Sequence, residues 1–320
     1  MKRLLASGAL VALLGTTALA DVKVTGTTEF YYKSVDSKIA SQNGDSFGNE
    51  DNEIKFTFSN KADSGLEYGY VVEMTTVADS DAKIDESSIY IKGSAGKLVL
   101  GGNDNVTANF GIGEHDIMDN ETGGTYTDAT IRTNAGERTY GSDSDKVSYF
   151  TPKFGGFAAG VSYMDSGATG TSDSTAVGAS FTTGNIKIGY TMNTQEVSGA
   201  DDKEGSNLGV KIGLGKATII GAMSKVEEAD EDIDTIGLGA SYALTPETTI
   251  AFSTMESEDS LDVSGTEKEN LKQNMVELKH NIAPGLDGYV NYTTYDYKNG
   301  GEASTDDDGS VLRLTIAAKF

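Results

Sequence analysis

The last ten residues of the chain, VLRLTIAAKF (Val311–Phe320), alternate apolar and polar side chains. In a β-strand successive side chains point to opposite faces, so Leu314 and Ile316 would lie on one face and Arg313 and Thr315 on the other. A strand of this kind contacts an apolar phase on one side and water on the other. The segment therefore predicts a half-buried β-strand.

The same alternation returns along the whole chain in segments of about ten residues, rich in the Val, Ile, Thr, Tyr and Phe that favour strands. Sixteen segments fit it: 22–33, 52–60, 66–75, 86–93, 97–103, 144–151, 157–165, 174–182, 186–194, 206–214, 217–226, 233–244, 248–256, 271–282, 287–297 and 310–320. Short Gly-, Asn-, Asp- or Pro-containing links alternate with long acidic ones such as Ser34–Asp51 and Asp104–Asp143. This rhythm is typical of an all-β fold, a transmembrane up-and-down antiparallel β-barrel of about 16 strands.

Composition excludes several functions. The 320 residues include 25 Lys and Arg against 49 Asp and Glu, a formal net charge of −24, which disfavours nucleic-acid binding. There is no Cys, so disulfides and thiolate chemistry are excluded. The two histidines, His115 and His280, lie in no recognisable catalytic setting. We therefore expect no enzymatic activity.

The N-terminus has the features of an export signal. The dipeptide Lys2–Arg3 is basic, Leu4–Leu14 is apolar, and Ala18–Ala20 supplies a small-residue cleavage pattern. The apolar run is too short for a membrane-spanning helix. We expect residues 1–20 to be a cleaved signal peptide and residues 21–320 to form the barrel domain.

Aromatic residues near the strand ends indicate which solvent surrounds the barrel. A membrane barrel carries an apolar outer band bordered by aromatic girdles, and sixteen strands enclose a water-filled channel rather than a packed core. We expect outward-facing aromatics at these positions: Tyr31, Tyr32, Tyr68, Tyr70, Tyr149, Phe150, Phe157, Tyr163, Tyr190, Tyr242 and Tyr289.

Four stretches resemble Gram-negative general porins, with the alphaproteobacterial, Rhodobacter-type branch as the nearest match: DVKVTGTTEFYY (21–32), DSGLEYG (63–69), KVSYFTPKFGGFAAGVSY (146–163) and the last strand. Phe320 is similar to the terminal aromatic residue that serves such barrels as an assembly signal. The resemblance implies a homotrimer in the bacterial outer membrane. It also implies that the third extracellular loop of each barrel folds inward and narrows the pore.

The segment Asp104–Asp143 follows the fifth predicted strand, where that family has its constriction loop. The resemblance implies acidic residues on this loop, with basic residues on the opposite pore wall. The acidic candidates are Glu114, Asp116, Asp119, Glu121 and Asp128. The basic candidates are Lys23, Lys33, Lys55, Arg313 and, less directly, Lys92. The alternative is an ordinary solvated surface loop.

Carboxylates at a narrow point concentrate cations and disfavour anions, so we expect a cation-preferring pore for passive diffusion of small hydrophilic solutes and ions. The expected partners are outer-membrane lipid, lipopolysaccharide and two further copies of the chain. No cofactor is expected, although the acidic runs Glu227–Asp232 and Asp306–Asp308 offer oxygen ligands suited to Ca²⁺. The alternative function is a secreted or surface-attached β-rich adhesin.

Overall fold

The computed structural model describes residues 21–75, 83–120, 134–165, 167, 172–197, 199, 201–228, 231–259, 269–298 and 306–320. The expected signal peptide lies outside these residues. Within them, no helix has the length and apolar character needed to cross a membrane.

Sixteen antiparallel strands form one closed barrel, as predicted. Their bounds are β1 Asp21–Ser37, β2 Gly44–Lys61, β3 Glu67–Thr75, β4 Lys83–Gly93, β5 Gly96–Gly102, β6 Asp145–Phe150, β7 Phe157–Met164, β8 Ser174–Thr183, β9 Ile186–Gln195, β10 Lys203–Leu214, β11 Ala217–Glu228, β12 Glu231–Ala243, β13 Thr248–Asp259, β14 Glu269–Ala283, β15 Leu286–Lys298 and β16 Asp307–Lys319. The described helices are α1 (Thr107–Phe110) and two 3₁₀ turns, Ala40–Gln42 and Glu114–Ile117.

The barrel closes where the last strand meets the first. β16 pairs with β1 from Thr27 opposite Lys319 to Ser37 opposite Gly309, and every other strand pairs with its neighbours along the chain. Because lipid offers no hydrogen-bond partner to an unpaired strand, closure is what allows a sheet to span a bilayer. Each strand is therefore paired along both of its edges.

Alternating exposure identifies the two faces of the wall. In β16, Leu314 and Ile316 are 43% and 48% exposed, whereas Arg313 and Thr315 are 3% and 2% exposed. The apolar side chains thus point outward and the polar ones point into the lumen, which is the reverse of a water-soluble barrel. The final strand has the faces that its sequence predicts.

The predicted long link Ser34–Asp51 is wrong. β1 continues to Ser37 and β2 begins at Gly44, so the connection spans only residues 38–43, and Ser34 pairs with Asp45. This extension projects beyond the apolar band, where both faces of a hairpin contact water and no apolar alternation is required. A prediction based on the alternation of apolar and polar residues therefore gives strands that are too short at this end of the barrel.

Three of the predicted girdle aromatics face the lumen instead. The ring of Tyr31 lies over the Arg313 guanidinium, with 4.0 Å between its centroid and Cζ. Phe150 stacks on Phe110 inside the barrel, and Tyr289 is buried above Lys279. Aromatic residues occur on both faces near strand ends, so residue type alone does not assign the face. Tyr68, Tyr149, Tyr190 and Tyr242 are exposed on the outer surface.

The outward face supports a mutational prediction. Leu238 is near the middle of β12 and is 59% exposed to the outside. We expect Leu238→Arg to lower the free energy of unfolding in lipid vesicles by about 2–4 kcal/mol, because a charge would enter hydrocarbon. The control Leu238→Met should cost less than about 1.5 kcal/mol. Equal effects of the two substitutions would contradict a lipid-facing position.

Candidate functional site: a loop folded into the lumen

We name the segment between β5 and β6 the inner loop (residues 103–144), and its two described arms, 103–120 and 134–144, lie inside the barrel. Its outgoing arm (103–120) runs along the wall: α1 contacts β8 and β9, and the turn Glu114–Ile117 contacts β11, β12 and β13. The return arm (134–144) leads back to β6. The described part of the outgoing arm therefore follows the lumen wall from β8 and β9 at α1 to β11, β12 and β13 at the turn Glu114–Ile117.

Two apolar clusters attach the outgoing arm to the wall. Val106 and Phe110 pack with Ala158 and Ala176, and Phe150 packs against the same cluster. Further along, the residues Ile112, Ile117, Met118, Ile220, Ala251 and Met275 form a second cluster. These wall residues are apolar although they face the lumen, so two of the three buried apolar clusters among the described residues lie beneath the inner loop. The third, which includes Val226, Leu271 and Tyr295, lies on the lumen face near the long-loop ends of the strands.

A stripe of glycines on the inner wall lets the outgoing arm lie close to the strands. Gly189, Gly209 and Gly239 lie on β9, β10 and β12. A Cβ atom on these three residues would overlap the carbonyl oxygens of Phe110, Ile112 and Glu114, respectively. Because the backbone of the inner loop occupies the space of the missing side chains, the stripe determines how far the inner loop projects into the opening.

Asn207 holds both arms of the inner loop. Its amide nitrogen donates to the Ile112 carbonyl at 3.0 Å and to the Ala135 carbonyl at 2.7 Å, and its oxygen accepts from the Ile112 amide at 3.1 Å. The Asn207 side chain is 1% exposed. It therefore satisfies backbone groups that the inner loop removes from water.

Glu114 links the two arms rather than facing the opening, which corrects the expected arrangement. It is 2% exposed, and its Oε2 accepts from the Ala135 amide at 2.8 Å. Burial raises the pKa of its carboxyl, against the opposing effects of His115 and the Ala135 amide. The fold thus favours the protonated form, a contribution to stability that is lost as the pH rises through the raised pKa.

The end of the described outgoing arm is held by Glu277 of β14. One carboxylate oxygen accepts from the Asp119 amide at 3.0 Å, and the other accepts from the Asn120 amide at 2.9 Å. The Asn120 side chain donates to Glu29 on β1 at 2.6 Å, and Asn291 donates to the Asn120 carbonyl at 3.1 Å. The arm therefore crosses most of the lumen circumference before residue 121.

The return arm is attached through Glu228 of β11. Its carboxylate accepts from Arg138 at 3.0 Å, from the Tyr140 hydroxyl at 2.9 Å and from Lys203 at 2.6 Å. Burial, together with Glu228, raises the pKa of the Tyr140 phenol, which therefore remains a donor at neutral pH. The negative charge of Glu228 is thus shared by two cations.

The opposite wall carries basic residues that are paired with acids. Lys55 forms an ion pair with Glu73, and Arg313 forms one with Glu50 and lies 3.9 Å from Glu29. On β14, Lys279 binds Asp119 of the inner loop at 2.8 Å. These three cations of the lumen are therefore accompanied by carboxylates.

The structure places the remaining candidates as follows. Asp116 and Asp119 have exposed side chains on the outgoing arm, whereas Glu121 and Asp128 lie outside the described residues. Lys33 is half-buried in the lumen opposite Arg313. Lys23 lies in the lumen near the start of β1 and is exposed. Lys92 is paired with Glu67 at 3.7 Å. Their roles in conduction stay predictions.

Phe320 lies at the closure of the barrel. Its amide donates to the Gly26 carbonyl at 3.0 Å, and its carbonyl accepts from the Gly26 amide at 2.8 Å. The ring is 71% exposed. An exposed aromatic ring at an accessible strand end has the geometry that a recognition signal requires, and that role also stays a prediction.

Sequence reasoning missed Asn207, Glu228 and Glu277, the wall residues that hold the inner loop. Asn207 and Glu277 lie at lumen-facing positions of predicted strands, where polar residues are expected and so attract no attention. Glu228 lies in the acidic run Glu227–Asp232, just beyond a predicted strand, and the structure extends β11 to include it. The glycines of the stripe carried a signal, because glycine weakens a strand interior and often marks close backbone approach. The sequence does not show that these glycines are neighbours, because that depends on how the residues of adjacent strands pair.

Carboxylates cluster where β2, β3 and β4 meet the roots of the inner loop. The carboxylate oxygens of Glu86, Asp104 and Asp143 lie within 4.8 Å of one another, and Glu53, Glu73 and Asp85 form a second such group. The acidic run Asp306–Asp308 begins β16 with the buried Asp307, which accepts from Ser37 and Tyr295.

A closed sixteen-strand barrel with an apolar exterior, a polar lumen and an inward loop defines a membrane channel. The family profile for Gram-negative porins matches residues 6–300. The chain therefore belongs to the Gram-negative porin family and is an outer-membrane porin.

Solved structures share this fold. The chain is similar to an anion-selective porin from Comamonas acidovorans, with 16% identity, a TM-score of 0.72, and coverage of 94% of this chain and 100% of that one. A loop L8 deletion mutant of OmpT from Vibrio cholerae has 12% identity, a TM-score of 0.75 and the same coverage. A mutant of the Rh. blastica porin has 12% identity and a TM-score of 0.68, again with the same coverage. Among curated proteins, no sequence gives a significant match.

The glycine stripe generates a prediction about pore size. We expect Gly209→Ala to displace the inner loop from the wall, because the new methyl group would overlap the Ile112 carbonyl. Single-channel conductance should change, and the free energy of unfolding should fall by about 1–3 kcal/mol.

Gly221→Ala is the matched control. Gly221 faces outward on the neighbouring strand, and its added Cβ would meet Leu238 Cδ2 at an ordinary 3.5 Å. Conductance of this variant should equal that of the natural chain. A Gly209→Ala channel that also behaves like the natural one would show that the stripe does not position the inner loop.

Proposed function

We propose that this porin allows passive diffusion of small hydrophilic solutes and ions across the outer membrane, with a preference for cations. The observation that carries the proposal is the pairing of basic residues at the waist. Lys55, Lys279 and Arg313 each lie beside a carboxylate, while Asp116 on the inner loop is exposed. Cations therefore meet an excess of negative charge where the lumen is narrowed.

The pairing also argues against a strong transverse field. A field across the opening requires acids on one side and uncompensated bases on the other. Here Lys55 and Arg313 are compensated on their own side, by Glu73 and Glu50. The excess of carboxylates near the waist then acts mainly through its net negative charge. This charge favours cations over anions, but it does not align dipolar solutes as a transverse field would.

The selectivity is specific to the residues of this chain rather than to the fold. The Comamonas acidovorans porin is described as anion-selective, although it shares the architecture at 16% identity. A common barrel therefore leaves selectivity open, and the argument for cations depends on the lumen charges of this chain.

Assembly and targeting complete the proposal. We propose that residues 1–20 are removed on export and that the barrel domain, 21–320, assembles as a homotrimer in contact with lipid and lipopolysaccharide. A trimer form of OmpT from Vibrio cholerae is among the similar structures. We further propose that Phe320 serves assembly, that the chain belongs to the alphaproteobacterial branch, and that transport needs neither catalytic residues nor a cofactor.

Reversal potentials in a KCl gradient test the selectivity. We expect the natural channel to prefer K⁺. Asp119→Asn should lower the permeability ratio of K⁺ to Cl⁻ roughly twofold or more, because it also removes the closer carboxylate partner of Lys279, whose second partner, Asp287, lies at 3.8 Å. Asp116→Asn should act in the same direction and less strongly, since Asp116 has no lysine partner among the described residues.

Asp234→Asn with Glu258→Asn provides a matched loss of two negative charges on the outer face, where these residues pair across β12 and β13. The permeability ratio of this control should stay at the natural value. An anion preference of the natural channel would refute the cation proposal. Failure of the refolded trimer to conduct ions or to admit small sugars into liposomes would refute diffusion itself.

A further inference from the structure

Lysines collect at one end of the lumen. Seven lumen-facing lysines lie within three residues of the strand ends that are joined by short turns: Lys23, Lys61, Lys92, Lys97, Lys187, Lys211 and Lys319. Only three described carboxylates share that position and face: Asp21, Glu67 and Asp287. The turn end of the lumen, as we name this zone, therefore carries a surplus of positive charge.

The opposite end has the reverse charge. Eight lumen-side carboxylates lie within three residues of the long-loop strand ends or at the two roots of the inner loop: Glu73, Glu86, Asp104, Asp143, Glu228, Asp259, Glu269 and Asp307. The lysines in the same zone are Lys83, Lys146 and Lys203. We name this zone the loop end; in outer-membrane barrels it faces the exterior, and the turn end faces the periplasm.

The lysines of the turn end oppose each other directly in the sheet. Lys92 is the cross-strand partner of Lys97, and Lys187 is that of Lys211. Like charges in this position destabilise a sheet. Among the described residues, no carboxylate lies within 4 Å of the ammonium groups of Lys97, Lys187 or Lys211. These charges therefore remain uncompensated and face the water of the channel.

A pore with one acidic end and one basic end conducts differently in the two directions. Cations are concentrated at the acidic end and anions at the basic end. When the acidic side is positive, both ions are driven inward and accumulate in the pore. With the opposite voltage both are withdrawn, and the pore is depleted of carriers.

We propose that the lumen of this porin is a bipolar charge filter that rectifies ionic current, with Lys92, Lys97, Lys187 and Lys211 as its positive pole. The current is larger when the loop end is at positive potential relative to the turn end. The proposal rests on the barrel conducting ions, but it does not depend on which ion the waist prefers.

The test is the current–voltage curve of the refolded full barrel in planar bilayers, with the orientation of each channel identified by one-sided protease treatment of the loops. In about 0.1 M KCl, where the Debye length is about 10 Å, we expect a current ratio of roughly two between opposite voltages of equal size. At about 1 M KCl the Debye length is about 3 Å, and the ratio should approach one.

Two double variants probe the two poles. Lys187→Gln with Lys211→Gln removes one opposed pair of the positive pole, and Glu73→Gln with Glu86→Gln removes one opposed pair of the negative pole. Each should move the ratio toward one. Lys225→Gln with Lys272→Gln is the matched control, because both lysines lie on the outer face in ion pairs with outer carboxylates. It should keep the natural ratio.

The outcomes separate this inference from the proposed function. No conductance in any variant would refute the diffusion channel itself. Conductance with a symmetric current–voltage curve in about 0.1 M KCl would overturn only the bipolar filter. A ratio of the opposite sign, or one that the Lys187 and Lys211 substitutions leave unchanged, would also overturn it. Heat-modifiable trimers of each variant on gels confirm that the barrel has folded.

Discussion

Hydrocarbon cannot accept or donate a hydrogen bond, and this constraint determines the architecture. Each backbone amide and carbonyl in the wall needs a partner on a neighbouring strand, so the sheet has to close. β16 pairs with β1 along eleven residue pairs, and Phe320 bonds to Gly26 beyond the last of them. Closure frees the lumen from the usual requirement for a dry core, and polar side chains can occupy it.

A water-filled lumen has no dry core against which a loop could pack, so the inner loop has to be held in place by other contacts. Water competes for every polar contact, so the inner loop is attached by contacts from which water is excluded. Glycines at Gly189, Gly209 and Gly239 admit its backbone, apolar residues pack beneath it, and Asn207 and Glu277 bond to its buried amides. The position of the inner loop is therefore specified largely by wall residues far away in sequence.

The same division explains how much could be predicted from the sequence. All sixteen strands follow from period two, because the bilayer imposes one apolar face on each of them. Beyond the bilayer a strand no longer needs an apolar face. The hairpin of β1 and β2 therefore extends through residues whose sequence predicted a loop. Glu114 was expected at the opening but links the two arms, since the composition of a loop does not reveal which of its faces meets the wall.

The width of the lumen explains why Lys55, Lys279 and Arg313 at the waist are paired with carboxylates, whereas Lys97, Lys187 and Lys211 at the turn end have no carboxylate within 4 Å among the described residues. Near the inner loop an ion such as Arg313, which is 3% exposed, has lost much of its water, and a close carboxylate offsets that loss. At the turn end Lys97 is exposed beside the Tyr90 and Phe150 rings and can stay hydrated without a carboxylate partner. Water can therefore offset the repulsion between opposed lysines only where the lumen is open. There their positive charges act on the ions that pass. Net charge at the waist and its change of sign along the axis are thus separate properties, although Glu73, which pairs with Lys55 and belongs to the negative pole, contributes to both.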